Sequence, residues 1–239
     1  MTGTGVWRRE VAGAPHLVVA SRNQGKLREM QRLFRALAPQ ASLALVSADE
    51  VGLPEIEETG SSFLENARLK ALAAAQWTGA LSLGEDSGLE VDALCGEPGV
   101  RSHRFSSTGD DLDNNLLLLR RLEGIPRHLR TARYRCAMAV ADAGGIVAEG
   151  EGVVEGIIAE ETSGTSGFGY DPLFYSTELQ KTMGQASDQE KDSVSHRRRA
   201  LERILPALLR YVGRGCGPES GPENGPDKGQ EGPEEVSFS

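Results

Sequence analysis

Cysteine is scarce in this 239-residue chain: Cys95, Cys136 and Cys216 are an odd number, lie far apart and form no C-x-x-C pair. That argues against a disulfide framework and a thiolate zinc site. Histidine is equally thin, and His16, His103, His128 and His196 show no metal-ligand spacing. No apolar stretch approaches the roughly 18 residues a membrane helix needs, and the N-terminal segment lacks the apolar run of a signal peptide. The chain therefore reads as cytoplasmic, with no membrane partner. Basic residues are in deficit, 26 Lys and Arg against 35 Asp and Glu, for a formal net charge of -9. A stable nucleic-acid partner is disfavoured, because coating phosphates needs a cationic surplus. A hydrophobic content of 38% is nevertheless enough to bury a core.

The composition shifts at both ends. Residues 213–239 hold seven Gly, four Pro, six acids and two bases, with Gly-Pro pairs at Gly217, Gly221 and Gly225. Such a segment cannot form a core and reads as a disordered acidic tail. Residues 1–15 show no hydrophobic period and read as a flexible extension, which leaves 16–212 as the ordered domain.

Within the domain, Leu17 to Ala20 predict a strand that ends in the turn Ser21-Arg22-Asn23-Gln24-Gly25, and Leu27, Met30, Phe34 and Leu37 then follow helical spacing. Strand, loop and helix in that order open an α/β domain. Ser62-Phe63-Leu64-Glu65 has the spacing of a capping box at the head of a second helix that runs to Gly79. A strand over Ala80 to Gly84 leads into Glu85-Asp86-Ser87-Gly88, and Asn114 to Leu122 reads as helix. From Ala132 to Ala159 alternating apolar residues on either side of Gly144-Gly145 predict an antiparallel hairpin. The last helix carries Leu201, Ile204, Leu205 and Leu208 on one face, with Pro206 expected to bend it.

Several segments have residue types suited to a nucleotide. The turn 21–26 sits where loop and helix N-terminal N–H groups meet an anion, and Lys26 adds charge, although the Walker pattern G-x-x-x-x-G-K-[ST] is absent. Taken alone it serves equally as a turn capped by Asn23. Two acidic pairs, Glu57-Glu58 and Glu85-Asp86, lie at expected strand or loop ends and suit a hard cation such as Mg2+. Each pair is also explained by a helix dipole or an Asx turn. Lys70 can pack its stem while its ammonium reaches a site. The glycine-rich stretch 164–172, with Phe168 and Tyr170, can bring backbone donors and a ring to a flat base or simply seal the core. The run from Lys191 to Arg199 is expected to start the last helix with a basic face.

Together, Ala20-Ser21-Arg22-Asn23-Gln24-Gly25-Lys26, Glu57 to Ala67, Glu85-Asp86-Ser87-Gly88-Leu89, Gly167-Phe168-Gly169-Tyr170-Asp171-Pro172 and Lys191 to Arg197 resemble the inosine triphosphate pyrophosphatase family in order and spacing. Five co-linear motifs are far more specific than any one of them. The resemblance implies an α/β, two-lobed fold with a central mixed β-sheet flanked by helices and an active-site cleft between the lobes. It also implies a homodimer and Mg2+-dependent conversion of purine nucleoside triphosphates (ITP, dITP, XTP) to the monophosphate and pyrophosphate. On the matching positions, Ser21, Arg22, Asn23, Gln24, Gly25 and Lys26 form the triphosphate loop. Glu58, Glu85 and Asp86 are metal-associated, Glu85 standing where many bacterial relatives have Asp, and Asp86 is the proton acceptor. Lys26 and Lys70 stabilise charge, and Ser87, Phe168, Gly169, Tyr170, Asp171, Lys191, His196 and Arg197 contact substrate. A Maf-like pyrophosphatase ranks behind this, because its arginine-rich opening loop is not seen at 21–26, and a non-catalytic nucleotide or RNA binder is the remaining alternative.

Overall fold

The computed structural model of the protein describes residues 16–41 and 43–213. The expected extension 1–15, Cys216 and all of the expected tail except Gly213 lie outside those residues.

The apolar run at the start of the domain forms β1 (His16–Val19), which is too short to stand alone and is paired in parallel on both sides, with β2 (Ala44–Ser47) and β3 (Ser82–Val91). From β3 onward the pairing is antiparallel, through β4 (Thr131–Asp142), β5 (Gly145–Ile158), β6 (Phe174–Ser176) and β7 (Lys181–Thr182). The result is one mixed seven-stranded sheet in the order β2-β1-β3-β4-β5-β6-β7. The predicted hairpin is β4 and β5, whose turn lies at Gly144-Gly145.

Helices cover the two faces of this sheet. Helix α1 (Gln24–Leu37) starts at Asn23, whose side-chain oxygen accepts the Lys26 N–H at 3.0 Å. Its buried residues Leu27, Met30, Leu33 and Phe34 form one core with Leu17, Leu83, Met138 and Val140 and with Leu201, Ile204 and Leu208 of α5 (His196–Gly213). Helix α5 continues through Pro206, which lies on its exposed side, where water can serve the carbonyl that the missing N–H leaves free. On the opposite face α2 (Phe63–Thr78) lays Ala67, Ala71 and Ala75 on Ala137, Ala139 and Ala141.

Two glycines let the helices come this close. A Cβ at Gly84 would lie 2.0 Å from the Ala67 carbonyl oxygen and 3.0 Å from Lys70 Cβ, so α2 touches β3 at the turn that carries Lys70. A Cβ at Gly152 would lie 2.0 Å from the His196 carbonyl oxygen, so the start of α5 rests on β5 in the same way. A separate core, including Leu89, Val91, Leu118, Leu122, Val154, Ile158 and Phe174, surrounds the far half of the long strands with α3 (Asp111–Arg121). A cleft is lined both by residues of this core, Tyr134 and Tyr170, and by Ala20, Ala48 and Leu53 beside β1 and β2.

Three local expectations change. The acidic pair Glu85-Asp86 does not follow a strand but sits inside β3, which continues to Val91 because β4 pairs with it all along its length. Ser62 caps α2, yet Glu65 reaches back to the Ser61 N–H at 2.7 Å rather than closing a box with Ser62. The run Lys191 to Arg199 does not start one helix: α4 (Asp188–Val194) ends, Ser195 is extended, and α5 begins afresh at His196.

Candidate active site

Consecutive residues of a strand face opposite ways, and that parity organises the site. Asp86 shares the α2 side of β3 with Gly84, while Glu85 shares the α1/α5 side with Leu83. Both line the same cleft of about 670 Å³, together with Ser21, Arg22, Asn23, Lys26, Glu58, Lys70, Ser87, Phe168, Gly169, Tyr170, Asp171, Lys191, His196 and Arg197.

On the α2 side, Asp86 accepts from Asn66 Nδ2 at 2.9 Å and from Lys70 Nζ at 3.3 Å. Lys70 also donates to Glu58 at 2.7 Å, so one ammonium stands between two carboxylates. Burial raises the Asp86 pKa, and although Lys70, Lys26 and Asn66 pull it down, it stays above the ordinary carboxylate value. The Lys70 ammonium is also penalised by burial, but Asp86 and Glu58 outweigh that and keep its pKa raised. Glu58 shares its other oxygen with Arg104 at 3.3 Å.

On the other side, Glu85 accepts from Arg197 Nη2 at 3.0 Å and lies 3.1 Å from Lys26 Nζ. The Arg197 guanidinium, 1% exposed, donates through Nη1 to Glu29 at 2.7 Å. Burial pushes the Glu85 pKa up, yet the charges of Arg197 and Lys26 hold it well below the carboxylate range. Glu29 is likewise lowered, because Arg197 and Lys191 outweigh its burial.

Also lining the cleft, Phe168 carries Lys191 Nζ over its ring at 4.6 Å. Asp171 accepts the Phe168 N–H at 2.9 Å and the Tyr134 hydroxyl at 3.2 Å, and pairs with Lys191. His196 stacks on Tyr134 with centroids 4.9 Å apart, and burial lowers its pKa to about 3, so its imidazole is neutral at pH 7. His196 Nδ1 and Arg197 Nε are buried without a hydrogen-bond partner among the described residues.

The structure brings together most of the residues expected at the site, and it separates some. Gln24 turns away from the cleft and lines a smaller cavity of about 110 Å³ beside β2. Gly25 does not line the cleft either; a Cβ there would lie 2.8 Å from the Phe168 ring, so its role is to let that ring pass. Arg22 reaches sideways to Asp49 at 2.9 Å and to the Leu53 carbonyl. Glu85, expected with the metal, is turned by strand parity away from Glu58 and Asp86 and toward Arg197 and Lys26. Arg197, expected to contact substrate, lines the cleft, but its terminal nitrogens are committed to two buried carboxylates.

Glu29, Asn66 and Tyr134 were not singled out from sequence. Glu29 was findable, since it falls three residues after Lys26 and one before Met30 on the buried face of α1. Asn66 precedes Lys70 by one helical turn and so shares its face. Nothing local distinguishes Tyr134 from the other inward residues of β4.

Among the described residues no group of three or more His, Cys, Asp or Glu side chains is arranged to hold a metal ion. Glu58 and Asp86 are nevertheless two carboxylates gathered around one cation, a donor set that fits Mg2+, which is held by one or two carboxylates together with substrate phosphates.

Residues 17–207 match the Ham1 family. A dITP/XTP pyrophosphatase of Desulforamulus reducens is 47% identical over 196 residues, which cover 81% of this chain and 96% of that relative. The chain belongs to the Ham1 family. A dITP/XTP pyrophosphatase of Geobacter sulfurreducens is also 47% identical, over 77% of this chain and 92% of its own. The solved structure of a HAM1 protein from Coxiella burnetii superposes with a TM-score of 0.72 at 40% identity, covering 82% of this chain and 98% of that one. A dITP/XTP pyrophosphatase from Mycobacterium abscessus gives 0.63 at 41% identity, over 81% and 98% of the two chains. Membership brings with it the α/β fold whose central mixed sheet is flanked by helices. No helix among the described residues is long and apolar enough to cross a membrane.

Proposed function

We propose that this Ham1-family chain is a nucleoside triphosphate pyrophosphohydrolase that converts dITP, ITP and XTP to the monophosphate and pyrophosphate, and that residues 16–212 suffice for it. The observation that carries the reading is the shared cleft, lined by Asp86, Lys70 and Lys26 together with Phe168, Asp171 and His196.

The triphosphate lies against the turn 21–26 and the N-terminus of α1, where backbone N–H groups and the Lys26 ammonium meet its charge. A water oxygen attacks the α phosphorus, the bond to the bridging α–β oxygen breaks, and pyrophosphate leaves. The proton of that water goes to the Asp86 carboxylate, which Asn66 and Lys70 hold in the cleft. Lys26 and Lys70 stabilise the negative charge as it moves to the leaving group. Glu58 and Asp86 would hold Mg2+, which would neutralise phosphate charge. Glu85 serves with Arg197 as the rigid partner of Lys26.

Purine choice rests on the 6-keto oxygen, an acceptor in hypoxanthine and xanthine where adenine presents an amino donor. His196 and Arg197, whose Nδ1 and Nε are buried without a hydrogen-bond partner among the described residues, or a backbone N–H, are the groups assigned to that edge. A donor aimed there leaves ATP with two donors facing each other. The test is pyrophosphate release with Mg2+ from dITP, XTP, dGTP and dATP. Preference for dITP and XTP is expected, in the full chain and equally in a chain ending at Gly213; turnover that favours dATP, or none from any of the four, sinks the assignment.

A further inference from the structure

Helix α3 stands behind the Phe168 loop and spends its first turns on it. Asp110 caps the helix by accepting the Leu112 N–H at 2.8 Å, so the neighbouring Asp111 is not needed as a cap. Asp111 instead accepts the Gly169 N–H at 2.7 Å. One turn later Asn115 Nδ2 donates to the Gly169 carbonyl at 2.9 Å. Side chains four apart lie on one helix face, and here they hold both polar backbone groups of a single residue. Asn114, between them, accepts the Ser106 N–H at 2.7 Å, and the Tyr170 hydroxyl donates to the Ser102 carbonyl at 2.8 Å. Gly169 is thus tied to α3, and its neighbour Tyr170 to the helical turn Gly99–Arg104.

Gly169 follows Phe168 directly and precedes Asp171 by two residues, so wherever its backbone is held, the ring and the carboxylate are placed. Neither Asp111 nor Asn115 is needed to close the core, since Asp111 is exposed and the buried Asn115 leaves its Oδ1 without a partner among the described residues. We infer that Asp111, which itself lines the cleft, and Asn115 are positioning residues for purine recognition, acting through the backbone of Gly169. The inference rests on the pyrophosphohydrolase reading above and adds to it the residues that set its base pocket.

The experiment separates the base from the phosphates. Equilibrium binding of inosine 5′-monophosphate and of inorganic pyrophosphate is measured by calorimetry on the full chain with Mg2+, alongside dITP turnover. Asp111→Ala is expected to weaken the nucleotide about tenfold, the loss of one charge-assisted hydrogen bond, and to leave pyrophosphate within about twofold. Asp111→Asn keeps an acceptor for the Gly169 N–H and is expected to restore most of the affinity. Asn115→Ala should move the nucleotide in the same direction; it is buried, so Asp111→Ala, at an exposed position, decides if that variant does not fold. Equal losses for both ligands, an unchanged nucleotide affinity, or an Asp111→Asn as poor as the alanine each overturn the inference while wild-type dITP turnover stands. Absence of that turnover overturns the underlying reading and the inference with it.

Discussion

Glu85 and Asp86 are neighbours in sequence and both lie in one strand, yet their surroundings push them in opposite directions. Asp86 has a raised pKa in a setting where its closest cation, Lys70, is divided with Glu58. Glu85 is held ionised by a guanidinium that is itself fully buried and bridged to Glu29. Strand parity alone sends one to a face where a proton or a metal can be exchanged and the other to a face where charge is locked in place. The difference teaches that two adjacent acids at a site need not share a setting: the charges on one side are incompletely compensated, and those on the other form a closed network.

The strongest way to break this contrast is to neutralise each acid without changing its shape. Asp86→Asn is expected to reduce pyrophosphate release from dITP by on the order of 1000-fold, within the range of lost general-base catalysis. Its thermal unfolding midpoint should hold or rise, because a neutral amide escapes the burial penalty that raises the Asp86 pKa. Glu85→Gln is expected to lower the midpoint, since it takes from Arg197 one of its two carboxylates. The same activity loss in both variants with no difference in stability means that the two acids are equivalent.

Next in size is the cation that locks the Glu85 side. Arg197→Met keeps most of the side-chain volume and leaves two buried carboxylates facing each other. Breaking a buried pair from one side costs about 3 kcal/mol or more. The lower figure is expected here, because Lys26 still faces Glu85 and Lys191 lies 3.9 Å from Glu29. Urea unfolding measures it, and a change below about 1 kcal/mol, the worth of a surface ion pair, contradicts a structural role for the network.

Much of this architecture was legible from residues alone, and what was not has identifiable causes. Helix α1, helix α2 and the β4–β5 hairpin announce themselves because caps, periodicity and a Gly-Gly turn are local signals. The extent of β3 was not, because Glu85, Asp86, Ser87 and Gly88 carry no strand propensity and are held extended by the full-length partner β4. Once that extension is missed, the parity that divides the two acids is lost too. Arg197 was placed at the site only through the resemblance: a run of basic residues usually marks a solvated face, and it is the closeness of Gly152 to the start of α5, with the two ion pairs, that shows this one turning inward. The bonds from α3 to Gly169 join residues 58 and 54 apart in sequence and leave no local trace.

The smallest effect belongs to His196, and it separates the locked side from ordinary carboxylate titration. Burial first, and then the charge of Arg197, lower its pKa from 6.5 to about 3, while Glu29 opposes them. Below pH 6.5 the unfolded chain binds a proton at this imidazole that the folded protein refuses until about pH 3, so stability falls as pH drops through that window. Glu29 and Glu85, lowered from 4.5, contribute stability that is complete above that value and is lost only on further acidification. Between about pH 6.5 and 5 the His196 contribution to the acid-induced loss amounts to roughly 2 kcal/mol, against which Asp86, with its raised pKa, acts in the opposite direction. Urea unfolding at the two pH values should show that loss in the wild type and much less of it in His196→Asn, measured against each protein's own stability at the higher pH. An equal loss in both proteins means that the imidazole protonates freely in the folded state, and the inner face of the cleft is then open to solvent rather than sealed behind Tyr134 and Arg197.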